Sequence, residues 1–444
     1  MLTRGTQRIN ESGHLEIGGC DAIVLAREFG TPLYVLDEAQ VRGLCREYVE
    51  HFTARYPDVT VSFAGKALLT KAVCAIVHSE GLHLDACSAG ELYTALEAGF
   101  PPEHIIFHGN YKTQQELQMC IDNHVGLIVA DSLGELAEID QLGASNGTDV
   151  DVSIRVSPGI KARTHTYTQT GQLDSKFGLG VEYGAAMEGI IAADEMERLA
   201  LRGIHCHLGS PIFALEAYER ATEIMVDLMV EARQQHGIEL AELDLGGGLG
   251  IRYTHEDTPP SIEHFADVLC SAVLKCCTDR AIDPPALAVE PGRSIVGEAG
   301  TTLYTVGVIK EIPGVRTYVA IDGGLSDNPR PTLYDAEYEA IIANKADQPA
   351  RRAVRIAGRH CETDTLIPDT TVQEPERGDI LAVFSTGAYN YSMASNYNRF
   401  ARPAMVLVND GAAELIVERE TLADLLRQDV LPKRLQAQAD AVRV

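Results

Sequence analysis

Eight short apolar runs, separated by stretches of helical length and pattern, fill the first two-thirds of this chain and leave few folds open to it. They are Val59–Gly65, Leu82–Ala86, Ile105–Gly109, Gly126–Ala130, Asp151–Ser157, Gly203–Gly209, Glu242–Gly248 and Ala286–Gly292. Strand alternating with helix eight times is the count of a (β/α)8 TIM-like barrel, usually about 250 residues long. An open doubly wound sheet is the alternative on periodicity alone. The polar residues favour the barrel. Lys66, Asp85 with Ser88, His108 with Asn110, Arg155, His207 with Ser210, Gly246–Gly248, and Glu290 with Arg293 all fall at or just past the C-terminal end of a run. Closing the sheet brings these ends to one face, so reactive groups far apart in sequence share a pocket.

Beyond residue 300 the pattern becomes alternating strands: TLYTVGVIKEI, TYVAIDGG, RAVRIAG, DILAVFST, and AMVLV joined to AAELIV by Asn-Asp-Gly, a good hairpin turn. The expected class is therefore α/β plus β. The barrel is assigned to 35–300, and a sandwich- or barrel-like β-domain to 1–34 with 301–444. The strand signal GTPLYVLD (Gly30–Asp37) either joins that β-domain or leads into the barrel.

Composition narrows the partners. Lys and Arg number 37 against 64 Asp and Glu, a formal charge of −27, and a protein that tracks phosphates needs clustered cations instead. No nucleic acid is expected. No apolar run nears the roughly 18–20 residues that span a bilayer, and MLTRGTQRINESGHL has neither a secretory nor a transit pattern. A cytoplasmic protein off the membrane is expected. The ten cysteines contain no CxxC pair, so most read as buried, reduced hydrophobes rather than zinc ligands or a disulfide lattice.

Several segments carry chemistry. In LDLGGGLGIRY, Gly246, Gly247, Gly248 and Gly250 follow a strand, which reads either as a phosphate cradle or as a tight turn. EPGR places Glu290 three residues from Arg293: a salt bridge, or an anion site beside a carboxylate that faces a cationic heterocycle. Lys66 follows small and apolar neighbours; partial desolvation would lower its pKa and suit a Schiff base, and a solvated strand-end lysine is the alternative. HCHLGS sets His205 and His207 two apart, a spacing some metal ligands share, but no third ligand stands at a convincing spacing and no metal is expected. His207 is the better candidate to lie flat on an aromatic ring. RHCETD sets Cys361 beside Glu362, as a proton donor or an ordinary thiol, and STGAYNYSMASNYN reads as a polar loop or site.

Lys66, HCHLGS, GGGLG, EPGR, NPRPTLY, HCET and TGAYNYSMASNYN occur together in an order and spacing that resemble the fold-type III pyridoxal-phosphate decarboxylases, nearest to their diaminopimelate branch. THTYTQTGQLDSKFGLG (Thr164–Gly180) resembles that branch too. The resemblance runs from IGGCDAIVLAREFGTPLYVLDE to ARPAMVLV. It implies an alanine-racemase-like barrel with a C-terminal β-domain, in a head-to-tail homodimer whose two active sites lie at the interface. By matching motif, Lys66 would be the Schiff-base lysine, with Asp85 close to it, His207 on the ring of pyridoxal 5'-phosphate and Glu290 at its nitrogen. Ser210, Gly246, Gly247, Gly248, Gly292 and Arg293 would hold the phosphate, and Tyr389 would add a cofactor and substrate contact. Arg293, Arg330 and Tyr334 would grip a substrate carboxylate. Cys361 and Glu362 would come from the partner subunit, Cys361 for catalysis and Glu362 for the distal ammonium. The implied reaction is decarboxylation of meso-2,6-diaminopimelate to L-lysine. Rivals are an ornithine, lysine or carrier-tethered glutamyl decarboxylase, and a non-catalytic cofactor-binding relative. Three departures stand out: Leu68 where the family has Asn, Pro211 where it has Gln, and a CETDTL segment one residue short.

Overall fold

The structure, a computed structural model, describes residues 4–160 and 174–435. Each of the eight apolar runs contributes a parallel strand: Val59–Ala64, His83–Ala86, Ile105–Phe107, Leu127–Ala130, Val150–Ser157, Leu199–His205, Glu242–Asp244 and Ala286–Val289. They pair in chain order, and the last returns to the first with Leu287 opposite Val59, which closes the barrel. The outer helices present apolar stripes at helical spacing. Helix Glu38–Thr53, capped by the Asp37 carboxylate on Gln40 N–H, buries Val41, Cys45, Tyr48 and Phe52. Phe52 meets Phe265 of helix Ile262–Arg280 edge-on at 5.8 Å. All ten cysteines are free; eight are buried, and Cys87 and Cys361 are exposed.

The β-domain is built around the long strand Gly300–Ile312, which pairs antiparallel with Leu33–Asp37, Arg316–Ile321 and Ile380–Phe384. Leu33–Asp37 also pairs parallel with Ala404–Asn409, so the GTPLYVLD segment joins this sheet and the chain enters the barrel only through the helix that follows. Side chains alternate across the sheet with the period of two that a strand dictates. Ile380, Ala382 and Phe384 pack on one face with Leu33, Val35 and Leu303, while Leu381 and Val383 pack on the other with Tyr304 and Val306. The Asn-Asp-Gly turn forms the expected hairpin, with positive φ at Asp410 (48°) and Gly411 (80°). Strand Thr365–Val372, unmarked in the sequence reading, carries Pro368 in its middle. It ends its sheet and pairs only with Arg352–Ala357, the edge setting in which a strand proline is tolerated.

Candidate active site

The C-terminal strand ends converge on a cavity of about 870 Å³ whose wall is completed by the β-domain. Lys66 stands in the turn Gly65–Ala67 just after the first barrel strand, and Asp85 lies next door because Ala64 and Asp85 are register partners. Lys66 Nζ donates to Asp85 Oδ2 at 2.7 Å. The lysine side chain is 39% exposed, and that exposure is to the cavity it lines; Asp85 is buried. Burial would lower the ammonium's pKa, but Asp85 and Glu290 outweigh it and raise it. The expected lowering of Lys66 is therefore reversed, because a buried carboxylate faces it directly. The β-domain reaches the same turn: Tyr389 N–H and Ser392 Oγ both donate to Ala67 O, at 2.8 and 3.0 Å. Tyr389 is held at φ 60°, a conformation that a non-glycine residue adopts only under firm constraint.

Glu290 lies on the cavity floor, gripped from both sides. His108 Nε2 is 2.7 Å from Oε1 and His205 Nε2 is 3.3 Å from Oε2. Burial alone would push the carboxyl up; the two imidazoles outweigh it and hold it well below the usual carboxylate range. Burial takes His205 down to about 4, so it faces Glu290 as a neutral ring donating from Nε2. The neighbouring Asp244 is pushed well up by burial and by Glu290, the opposite direction to Glu290 itself. His108, His205 and Glu290 also place their donor atoms within 4.8 Å of one another, the grouping that the His205–His207 spacing could not foretell. Direct contacts of 2.7 and 3.3 Å read as imidazoles holding a carboxylate. His207 turns elsewhere: its Nδ1 accepts the Gly247 N–H at 3.3 Å, and burial lowers it well below the usual histidine range.

The Gly246–Gly248 turn is wedged between neighbouring strand ends. A Cβ on Gly247 would lie 1.9 Å from the Glu290 carbonyl oxygen, and one on Gly248, at φ +118°, 2.2 Å from that of Gly209. Gly246 N–H is engaged by Asp244 Oδ1 at 2.7 Å, so two of the three amides already have partners within the chain. Gly292 caps the short helix Arg293–Val296 and sits under Arg293.

Arg293 is buried, donating from Nε to Ser210 Oγ at 2.9 Å and from Nη1 to Tyr253 Oη at 2.5 Å. Arg330, also buried, donates to Tyr338 Oη at 2.9 Å. Aromatic faces surround the pair: Tyr389 lies 4.7 Å from Arg293, and Tyr253, Tyr334 and Tyr389 lie 5.4 to 5.6 Å from Arg330. Among the described residues neither guanidinium has a carboxylate within 4.0 Å. Two buried cations bonded only to hydroxyls form a site built for anions. Tyr253 and Tyr338 escaped the sequence reading, although Tyr253 is the last residue of LDLGGGLGIRY.

Cys361 and Glu362 do not line this cavity. Both are exposed on the β-domain, with the Glu362 carboxylate accepting from Tyr397 Oη at 2.7 Å. Of the segment 164–180, residues 164–173 lie outside the described residues; Phe177 lines the cavity beneath the Arg155 guanidinium, 4.3 Å away.

The pyridoxal-dependent decarboxylase family model for the pyridoxal-binding domain matches residues 40–297. The diaminopimelate decarboxylase of Bacillus subtilis is 46% identical over 431 residues, covering 97% of this chain and 98% of that protein. The chain belongs to the diaminopimelate decarboxylase family. The Synechocystis member is likewise 46% identical, over 97% of this chain and 93% of its own. The M. jannaschii diaminopimelate decarboxylase solved in complex with L-lysine superposes with a TM-score of 0.91 at 38% identity, covering 98% of this chain and all of that one. Its family makes this chain a pyridoxal-phosphate-dependent lyase, and the cavity has the matching chemistry: a lysine, an ionised buried carboxylate and two uncompensated guanidiniums. Two departures from the family pattern find their places here. Leu68 is 1% exposed inside the barrel core, and Pro211 lines the cavity wall.

Proposed function

We propose that this chain decarboxylates meso-2,6-diaminopimelate to L-lysine and carbon dioxide, as a cytoplasmic homodimer with shared active sites. The observation that carries this is the Arg293–Arg330 pair, two buried cations with no carboxylate within 4.0 Å among the described residues, at the aromatic end of the cavity that contains Lys66. A substrate with a second carboxylate satisfies them; ornithine and lysine bring none to that end. Ten free cysteines suit a reducing compartment.

Bound pyridoxal phosphate supplies an electron sink for the bonding pair released when the Cα–carboxylate bond breaks. Lys66 is the amine that anchors it, and Asp85, at 2.7 Å, holds the Lys66 proton. Glu290, kept ionised by its imidazole neighbours, would supply the negative charge that keeps the cofactor's ring nitrogen protonated. His207 offers a ring face, oriented by Gly247 N–H. Ser210, bonded to Arg293, and the Gly246–Gly248 and Gly292 turns would hold the phosphate, and Tyr389 of the β-domain would add a contact to the cofactor. Arg330 and Tyr334, with Arg293, fix the distal carboxylate. The distal ammonium goes to Glu362 of the second subunit. Carbon dioxide leaves, and Cys361 of that subunit returns a proton to the carbon that lost it.

Two features support sharing: the monomer's cavity lacks Cys361 and Glu362, and both residues are exposed. The test is a substrate panel with purified wild-type protein. We expect kcat/KM for meso-diaminopimelate to exceed that for L-ornithine and L-lysine by about 10³-fold or more, the discrimination open to a site whose buried charges lose their partner. Preferential turnover of ornithine overturns the assignment, and no turnover of any amino acid favours a non-catalytic binding protein.

A further inference from the structure

The loop bearing Cys361 and Glu362 is held from beneath by a buried pair that the reaction above does not use. His360, its side chain fully buried, donates from Nδ1 to Asp364 Oδ2 at 2.5 Å. The same oxygen accepts the His360 N–H at 3.2 Å, and Oδ1 accepts the Leu325 N–H at 2.9 Å. Two glycines make room for this carboxylate: a Cβ on Gly358 or Gly324 would lie 1.9 or 2.2 Å from Oδ2. The loop closes on itself where Gly358 N–H donates to Asp364 O at 2.8 Å.

Its outer side is fixed by the SNYNRF segment. The Tyr397 ring lies parallel to His360, 5.9 Å away at 14°, and Phe400 meets the imidazole edge-on at 4.9 Å. Cys361 N–H donates to Asn398 Oδ1 at 3.0 Å, and Tyr397 Oη donates to Glu362. Cys361 and Glu362 thus stand between a buried hydrogen-bonded pair and an aromatic clamp, while their own side chains face outward. A loop that must present a proton donor to another subunit gains no order from its own cavity. Its geometry has to be set from its own side, and a misplacement of about 1 Å is worth about 10²-fold in rate.

We propose that Asp364 and His360 are positioning residues that set Cys361 for the neighbouring subunit's site and leave their own subunit's site unaffected. This rests on the shared-site reading above. It also accounts for the short CETDTL segment, in which Asp364 follows Glu362 by only two residues and turns back beneath the loop.

The test uses full-length hybrid dimers loaded with pyridoxal phosphate, formed from differently tagged Lys66→Ala and Cys361→Ala subunits. In such a hybrid only the site pairing Lys66 of one subunit with Cys361 of the other is complete. Asp364→Asn added to the Lys66→Ala subunit, which supplies the working Cys361, is expected to lower kcat ten- to a hundredfold relative to the parent hybrid. The same substitution in the Cys361→Ala subunit is expected to lower it less than threefold. Equal losses at both placements, or no loss at either, overturn the proposal. His360→Phe keeps the ring stack and removes the donor; it shows the same dependence on placement and is read in the same way if the Asp364→Asn chain fails to fold. A parent hybrid that assembles but is inactive overturns the shared-site reading itself, a result separate from an active hybrid indifferent to Asp364.

Discussion

Lys66→Ala is expected to lower turnover of meso-diaminopimelate by about 10⁴-fold or more, the scale seen when the nucleophile of a covalent mechanism is removed. Among the described residues that line the cavity, Lys66 is the one lysine. Lys71, five residues on, is well exposed and 3.5 Å from Glu97 at the surface, so Lys71→Ala is the internal control and should stay within about twofold of wild type. The Lys66 variant also leaves Asp85 buried without its ammonium, so a drop in melting temperature should accompany the loss of activity. Borohydride should fix the cofactor covalently to the wild-type chain at Lys66 and fail to do so in the variant. Wild-type labelling and turnover in Lys66→Ala would contradict the assignment.

The second large effect is Glu290→Gln, for which a loss of about 10³-fold in kcat is expected with KM changed much less, since the charge acts on the reacting state rather than on substrate affinity. The amide preserves shape and removes the negative charge. It also puts one acceptor and one donor where the carboxylate offered two acceptors, so one of the two flanking imidazoles, His108 or His205, faces an N–H instead of an oxygen. The pH dependence has a definite sign. Because the Glu290 pKa is lowered in the folded protein, its charge persists above that value and is lost only as pH falls through it. Titration of Glu290 should therefore contribute no change in kcat between about pH 6 and 9. A Glu290→Gln variant with near wild-type kcat would remove the carboxylate from the mechanism.

The barrel was legible because closure imposes a repeating demand: each strand needs a short apolar run, and each run must end in whatever the pocket requires. Lys66, His207 and Glu290 stood out as polar residues ending apolar strands. What stayed hidden were relations among strand ends and loops. Asp85 reverses the pKa shift expected of Lys66 because the two strands are in register, which no single segment reveals. The grip of His108 and His205 on Glu290 joins three strand ends far apart in sequence. Tyr253 bridges toward both arginines from a turn whose glycines drew attention away from it. Strand Thr365–Val372 was obscured by Pro368, which is admissible because, among the described residues, no strand pairs beyond that edge.

The most direct test of the reaction is to run purified enzyme with meso-diaminopimelate in D₂O and follow carbon dioxide, lysine and recovered substrate by mass spectrometry and NMR. Decarboxylation at the D-centre with a proton returned to the same carbon predicts one carbon dioxide per L-lysine, and a single deuteron on the lysine ε-carbon with none at its α-carbon. Diaminopimelate recovered with deuterium at an α-carbon and no carbon dioxide would instead describe a racemase and contradict the account.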